Sequence, residues 1–204
     1  MTIRKGEPWG EAVGEAPAGL ELAPNDRRAS RSIELRLEAD LPLVPIGVAG
    51  GDMARTMGGS TPGRFDGPHT RGTVDLLRVT ADGRVHWALA HVVARRSWWR
   101  GEVVLAMNAQ FLGPHDVAPR SHPNDGRVDV LRVDRAMSVR TRWQARSRTR
   151  TGTHLPHPQL VMQSTGEWHA TFDPPLHLYV DGVRVGDVRD LRVEVVPDAL
   201  VVHA

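Results

Sequence analysis

The sequence contains no cysteine and almost no lysine. Without cysteine, the 204-residue chain cannot form disulfides, thiolate zinc sites or a cysteine nucleophile. Lys5 is the only lysine, so 25 of the 26 cationic side chains are arginines, whose guanidinium groups stay charged at any accessible pH. This usage raises the isoelectric point to about 9.8. The 24 acidic residues leave a net charge of only +2, which excludes a histone-like, strongly basic nucleic-acid binder.

Long apolar runs are missing as well. The apolar stretches, such as residues 103–107, are far shorter than the ~20 residues that a membrane-spanning helix needs. The charged start of the chain, with Arg4 and Lys5, has no apolar segment behind it, so we predict no signal peptide and expect a cytoplasmic protein. A hydrophobic content of 40% with 25% charged residues predicts a folded chain rather than a disordered one.

The first 68 residues have the pattern of a small α/β unit. Strands are predicted at 19–23 and 43–48, and helices from a cap at Asn25 or Asp26 to about residue 39 and over 52–57. Glycine, serine and proline then accumulate over 58–70, which predicts a linker.

Beyond residue 68 the pattern becomes that of a β-sheet. Asp82-Gly83 predicts a tight hairpin, and Asn124-Asp125-Gly126 and Asp181-Gly182 predict further turns. The fold class is therefore α+β and mostly β, with an α/β unit over residues 1–68 and a β-sandwich over 69–204. Strands are predicted at 74–79, 84–89, 102–108, 127–133, 159–162, 168–172, 176–180, 191–196 and 200–202.

Two features predict binding of anions. Gly50-Gly51-Asp52 lies between a strand and a helix, where backbone N–H groups can hold a phosphate; the alternative is a tight turn in which Asp52 caps the helix. The second feature is a stripe of arginines, which gives a cationic face on either a strand or a helix and suits phosphate, acidic lipid headgroups or RNA. Its alternative is an ordinary solvated face. The stripe consists of Arg140, Arg142, Arg146, Arg148 and Arg150.

His154 and His157 lie three residues apart, a spacing that two zinc ligands can have. Pro156 and Pro158 exclude a regular helix there, and no cysteine is available to complete a zinc site. We therefore interpret both histidines as surface or turn residues.

An ordered series of motifs runs through residues 100–204: 104–113, Ala118-Pro119, 124–130, Gly152-Thr153-His154, Val180-Asp181-Gly182 and 196–200. Upstream lies the segment 45–55, Pro-Ile-Gly-Val-Ala-Gly-Gly-Asp-Met-Ala-Arg. The series resembles the diacylglycerol kinase-like lipid kinases, and the upstream segment is similar to a nucleotide-binding motif of that family. The resemblance implies an α/β nucleotide-binding unit, a β-sandwich of the lipid-kinase and NAD-kinase type, and ATP-dependent phosphorylation of a lipid hydroxyl.

Three departures from the family pattern imply a degenerate kinase. Ala23-Pro24-Asn25-Asp26 stands where the family has a glycine-rich phosphate loop, and proline removes a donor there. A threonine and an asparagine of the second nucleotide motif are replaced by Ala49 and Gly51. The family's general-base position is Val183, which cannot accept a proton.

Three functions follow as open alternatives. The first is a binding or regulatory module for an anionic small molecule, a lipid headgroup or a protein partner, with a second copy of the chain among the partners. The second is an active, divergent ATP-dependent lipid kinase in which Asp181 or Asp52 is the base or a metal ligand. The third is an RNA or acidic-membrane binder that uses the stripe Arg140–Arg150.

The resemblance also implies a structural Mg²⁺ site. It would be formed by the backbone carbonyls of His122 and Arg127 and the side chain of Asp125. Oxygen donors suit Mg²⁺, although Asp125-Gly126 can equally be a simple turn.

Overall fold

Strands form most of the computed structural model, which describes residues 10–59, 65 and 67–204. The amino-terminal part contains β1 (Glu11–Val13), β2 (Glu21–Ala23), α1 (Asp26–Glu38), β3 (Ile46–Val48) and α2 (Asp52–Thr56). The rest contains β4 (His69–Ala81), β5 (Arg84–Ala88), β6 (His91–Arg95), β7 (Val103–Met107), β8 (Phe111–Leu112), β9 (His115–Asp116), β10 (Val128–Val133), α3 (Val139–Arg148), β11 (Leu160–Thr165), β12 (Glu167–Val180) and β13 (Val183–His203), with a 3-10 turn at Thr149–Thr151.

Helix α1 begins where the sequence predicts it. The side chain of Asn25 accepts the backbone N–H of Arg28 at 3.1 Å, which satisfies one of the unpaired donors of the first turn. Ala29 and Ile33, one turn apart, are fully buried against β3 and α2. The strands and the short helix predicted nearby are present but shorter than predicted.

Most strands belong to one sheet that folds over on itself. Its central order is β1-β4-β13-β12-β6-β7-β10-β11. Leu77 of β4 and Val130 of β10 lie far apart in this order, yet they share one hydrophobic core with residues of the strands between them. The two inner faces therefore meet as the layers of a sandwich, which confirms the predicted fold class.

Prolines mark the bends of the long strands. The pairing of β12 with β13 shifts register between Thr171 and Leu176, where Pro174 and Pro175 cannot donate hydrogen bonds to the neighbouring strand. The pairing of β13 with β4 shifts between Val196 and Leu200, around Pro197. These bulges turn the strands so that the sheet can close over its core.

The amino-terminal elements are hydrogen-bonded to the sandwich. β3 runs parallel to the end of β13, with Ile46 opposite Val202, and β1 pairs antiparallel with β4. The boundary at residue 68 between two units stays a prediction. Residues 60–64 and 66 of the predicted linker lie outside the described residues, and the linker's last two residues, 69 and 70, instead begin β4.

No helix within the described ranges has the length and apolar character needed to cross a bilayer.

The arginine stripe forms a helix, α3, followed by the 3-10 turn. The side chain of Arg142 is only 4% exposed and points inward, where its guanidinium donates to the carbonyls of Trp98, Gly101, Asp134 and Met137. These acceptors join the β6–β7 connection to the segment before α3. Arg142 therefore anchors the helix, which corrects the expectation that it belongs to an exposed anion-binding face.

We predict that Arg142→Met lowers the free energy of unfolding by about 3 kcal/mol, because it leaves buried carbonyls without donors. The matched variant Arg140→Met, at an exposed position of the same helix, should change it by no more than about 0.5 kcal/mol. Urea denaturation of both variants measures the difference. Equal losses would contradict the anchoring role.

Candidate functional site

Five polar residues from four parts of the chain meet between the amino-terminal elements and the sandwich. We call them the acidic cluster: Asp26 and Ser30 of α1, Asp52 of α2, His91 of β6, and Asp181 in the turn between β12 and β13. The cluster includes Asp52 and Asp181, the two carboxylates that the sequence singles out for catalysis. The structure brings them together through His91, which hydrogen-bonds to one and whose backbone binds the other.

Asp26 occupies the backbone donors of the predicted phosphate cradle. Its carboxylate accepts the N–H groups of Asp52 at 2.5 Å and Met53 at 3.2 Å, the first residues of α2. The same carboxylate lies over Gly51, where an added Cβ would be 2.4 Å from an Asp26 oxygen. Gly51 also has a φ of 107°, so only glycine suits this position. A carboxylate of the chain itself thus lies where the sequence predicts an external phosphate.

Asp181 is fully engaged with the turn between β5 and β6. Its carboxylate accepts the backbone N–H groups of Leu89 at 2.7 Å, Ala90 at 3.0 Å and His91 at 2.8 Å, and also the hydroxyl of Ser30. Both oxygens are satisfied, and the side chain is buried. Asp181 therefore links the turn between β12 and β13 to the turn between β5 and β6. Its carboxylate oxygens are already occupied by donors of the chain itself, which leaves no free acceptor position for a substrate proton.

Asp52 joins α2 to both sides of the cluster. One oxygen accepts the backbone N–H of Gly113 at 2.8 Å, and the other lies 3.0 Å from His91 Nε2, which donates to it. The second ring nitrogen of His91, Nδ1, is buried and has no partner among the described residues. Arg55, one turn further along α2, donates to the carbonyl of Gly113 at 2.6 Å and stacks over Phe111.

Burial and neighbouring charges change the proton affinity of the cluster. Burial, followed by the negative charge of Asp181, raises the pKa of Asp26 from 3.8 to about 7. Burial alone would lower the pKa of His91, but its hydrogen bond to Asp52 and the charges of Asp181, Asp52 and Asp26 outweigh burial and raise it. The cluster therefore holds an aspartic acid that is partly neutral near pH 7 beside an imidazole that favours its charged form.

A separate apolar cavity lies beneath α3. Its volume is about 360 Å³, and its walls come mainly from β7 and β10, the β6–β7 connection, the β8–β9 segment and α3. The residues that set its character are Trp98, Leu105, Leu131 and Met137 on the apolar side, with His115, Arg146, Thr149 and His154 as polar members. The volume falls within the ~300–1,000 Å³ of typical small-molecule sites.

His154 contributes a buried acceptor to this cavity. It is only 2% exposed, so the expectation of a surface or turn histidine is wrong, because the side chain turns inward to hydrogen-bond the carbonyl of Val117 at 3.1 Å through Nε2. Burial lowers its pKa, so the ring is neutral. Nδ1 is then an acceptor, and it has no partner among the described residues.

Positive charge lies near His115, another lining residue of the cavity. His115 hydrogen-bonds to the Thr149 hydroxyl at 2.7 Å, and burial followed by the charges of Arg146 and Arg150 lowers its pKa. Both arginines are exposed, and Arg146 also lines the cavity. Arg140 and Arg148 are exposed as well.

The predicted magnesium donors lie in a loop before β10 that several hydrogen bonds hold in place. Asp75 accepts the N–H of Gly126 at 2.7 Å, and Asp125 accepts that of Arg127 at 3.0 Å, while His122 accepts the N–H of Asn124. Burial, together with Asp129 and Asp75, raises the pKa of Asp125 to about 6. A bound cation would offset the repulsion between Asp125 and the carboxylates of Asp129 and Asp75, so the chemistry of the donors suits Mg²⁺. The site itself stays a prediction. No group of three or more histidine or acidic side chains in the described ranges is arranged as a metal site.

No sequence pattern indicates the partners that complete these sites. His91 and Ser30 stand in ordinary strand and helix patterns, and only the tertiary fold brings them to Asp181. The cavity walls likewise come from segments far apart in the chain. One sequence signal could have indicated His91: it is a polar residue at the start of a mostly apolar strand, β6.

Comparison with known proteins places this geometry in a family context. Residues 74–204 match the model of the family described as the YegS C-terminal NAD kinase beta sandwich-like domain. Among curated proteins, none matches the sequence significantly.

Solved structures from Bacillus anthracis str. Sterne share the fold. Two, named as candidate diacylglycerol kinases, superpose with TM-scores of 0.57 and 0.58 at 10% identity, covering 78% of this chain and 69% and 68% of theirs. A third, named as a diacylglycerol kinase, has a TM-score of 0.52 at 11% identity and covers 78% of this chain and 66% of its own. At such low identity the likeness shows the fold alone.

We predict that the raised pKa of Asp26 makes the protein less stable as the pH rises. The folded state favours the neutral acid, so this contribution is present below about pH 4 and is lost as the pH rises to about 7; it corresponds to at most about 4 kcal/mol. In Asp26→Asn this loss should disappear, so the variant should be more stable than the wild type at alkaline pH. Urea denaturation across this pH range measures the difference.

Asp40→Asn, which changes an exposed aspartate, is the matched control and should follow the wild-type pH dependence. If Asp26→Asn also keeps the wild-type dependence, Asp26 is not the group that titrates.

Proposed function

We propose that this chain, which belongs to the family described as the YegS C-terminal NAD kinase beta sandwich-like domain, is a non-catalytic relative of the diacylglycerol kinase-like lipid kinases and binds an anionic amphiphile. The observation that carries this proposal is the apolar cavity beneath α3, which combines apolar walls with the positive charge of Arg146. Such a combination suits a molecule with a hydrocarbon chain and a negatively charged head.

The acidic cluster supports the absence of kinase activity. A nucleotide phosphate would have to displace the Asp26 carboxylate from the N–H groups of Asp52 and Met53, and it would meet three carboxylates in a buried space. Like charges at such short range repel strongly where water is excluded. The family's base position, Val183, has no group that accepts a proton.

The cavity offers both kinds of contact that an amphiphile needs. Leu105 and Leu131 supply apolar wall, and burying a hydrocarbon chain there gains about 0.8 kcal/mol per methylene. Arg146 supplies positive charge as a lining residue, and the charge of Arg150 also reaches His115. Nδ1 of His154 can accept a hydrogen bond from a hydroxyl of the ligand, which would satisfy its missing partner.

We predict that ATP with Mg²⁺ gives no binding heat in titration calorimetry, because the backbone donors of the cradle are already occupied. The wild-type chain should also transfer no labelled phosphate from ATP to diacylglycerol. Phosphate transfer that is lost in Asp52→Asn would contradict the proposal and favour the active, divergent kinase.

A second prediction concerns the cavity, with dodecanoate as the probe. The wild type should bind it, and Ala145→Trp, which projects a large ring from α3 into the cavity, should abolish binding. Gln144→Trp places the same ring on the exposed side of the helix and should bind as the wild type does. Calorimetry measures both; equal binding by the two variants would place the ligand elsewhere.

A further inference from the structure

We propose that the protein docks on anionic membranes through a tryptophan–arginine surface that borders the cavity. This surface consists of Trp99 and Arg100 at the tip between β6 and β7, and Val139, Trp143, Arg146 and Arg150 along α3 and its following turn. The inference goes beyond the proposed function, because docking does not require a ligand in the cavity.

The apolar members of this surface are unusually exposed. Trp143 is 63% exposed, Val139 46% and Trp99 38%. Val139, Trp143, Arg146 and Arg150 follow one another at spacings of three and four residues, so they lie on one flank of the helical segment. Arg146 lies over the ring of Trp99 at 5.8 Å, which joins this flank to the β6–β7 tip.

The tip is held firmly beside the helix. The carbonyls of Trp98 and Gly101 accept hydrogen bonds from the buried guanidinium of Arg142. Arg95 stacks on the ring of Trp98 at 4.3 Å and fixes it as a cavity wall. The exposed ring of Trp99 is therefore presented on a braced hairpin rather than on a loose loop.

The charges of the surface complement an acidic bilayer. Helix α3 contains no acidic residue, while Arg140, Arg146 and Arg148 on it and Arg100 on the tip are exposed. Arginines near a membrane surface gain about 1 kcal/mol each from anionic lipids. Tryptophan rings prefer the depth of the lipid headgroups, where one edge meets hydrocarbon and the other meets water.

The neighbouring cavity indicates that the tryptophan–arginine surface binds a bilayer rather than RNA. Trp99 and Arg146 belong both to this surface and to the cavity wall, so an apolar space opens directly at the proposed interface. A membrane can deliver a hydrocarbon chain to that space, whereas RNA has no chemistry that fills it. Two weak signals, exposed aromatic rings and basic charge, together give stable binding where one alone does not.

The test is co-flotation of the full chain with vesicles of phosphatidylcholine and phosphatidylserine, compared with phosphatidylcholine alone. We expect binding to the mixed vesicles only, a loss of binding as salt increases, and a blue shift of the tryptophan fluorescence. Trp143→Ala and the pair Arg100→Glu with Arg150→Glu should each weaken binding at least about tenfold.

The controls are Leu41→Ala, which removes an apolar side chain that is 52% exposed on another face, and Arg27→Glu with Arg28→Glu on α1. Each should bind as the wild type does. Equal losses in the controls, equal binding to both kinds of vesicle, or release from vesicles by a single-stranded RNA would overturn the proposal. Ala145→Trp, which blocks the cavity, should still dock, so failure of the cavity and failure of the surface are distinguishable.

Discussion

The hydrogen bonds from Asp52 and Met53 to the carboxylate of Asp26 decide what the rest of the structure can do. Because an internal carboxylate holds the start of α2, the N–H groups of Asp52 and Met53 are already paired within the chain. The bonds also draw α1 against α2 and bring Ser30 to Asp181, so the amino-terminal elements close onto the end of the sandwich. The acidic cluster is thus a packing contact between the amino-terminal elements and the sandwich, and burial raises the pKa of Asp26.

The apolar cavity lies beneath α3. There Arg142 uses its charge to fix the helix and the β6–β7 tip, while Arg146 and Arg150 are exposed and act on His115. The two roles explain why a stripe of arginines need not be a single cationic face. The cavity and the acidic cluster draw on different residues, so a substitution in one need not disturb the other.

Much of the fold could be predicted from local patterns. Asn25 caps α1, Asp82-Gly83 and Asp181-Gly182 make the tight turns, and the apolar alternation locates most strands. The site could be predicted only in part. Asp181 was expected at a catalytic position, but its three backbone donors come from a turn some ninety residues earlier in the chain. Arg142 has the same sequence surroundings as its exposed neighbours, and only the packed β6–β7 tip shows that it points inward. No periodicity encodes a cavity whose walls come from several distant segments.

We propose that the amino-terminal donors are closed to nucleotides while the cavity beneath α3 is open to an amphiphile. Backbone amide NMR of the whole chain tests both halves in one experiment. We expect the signals of Asp52 and Met53 to stay unchanged when ATP and Mg²⁺ are added. The signals of Leu105, Ala145 and His154 should shift when dodecanoate is added. Shifts of Asp52 and Met53 with ATP, or an unresponsive cavity, would contradict the proposal.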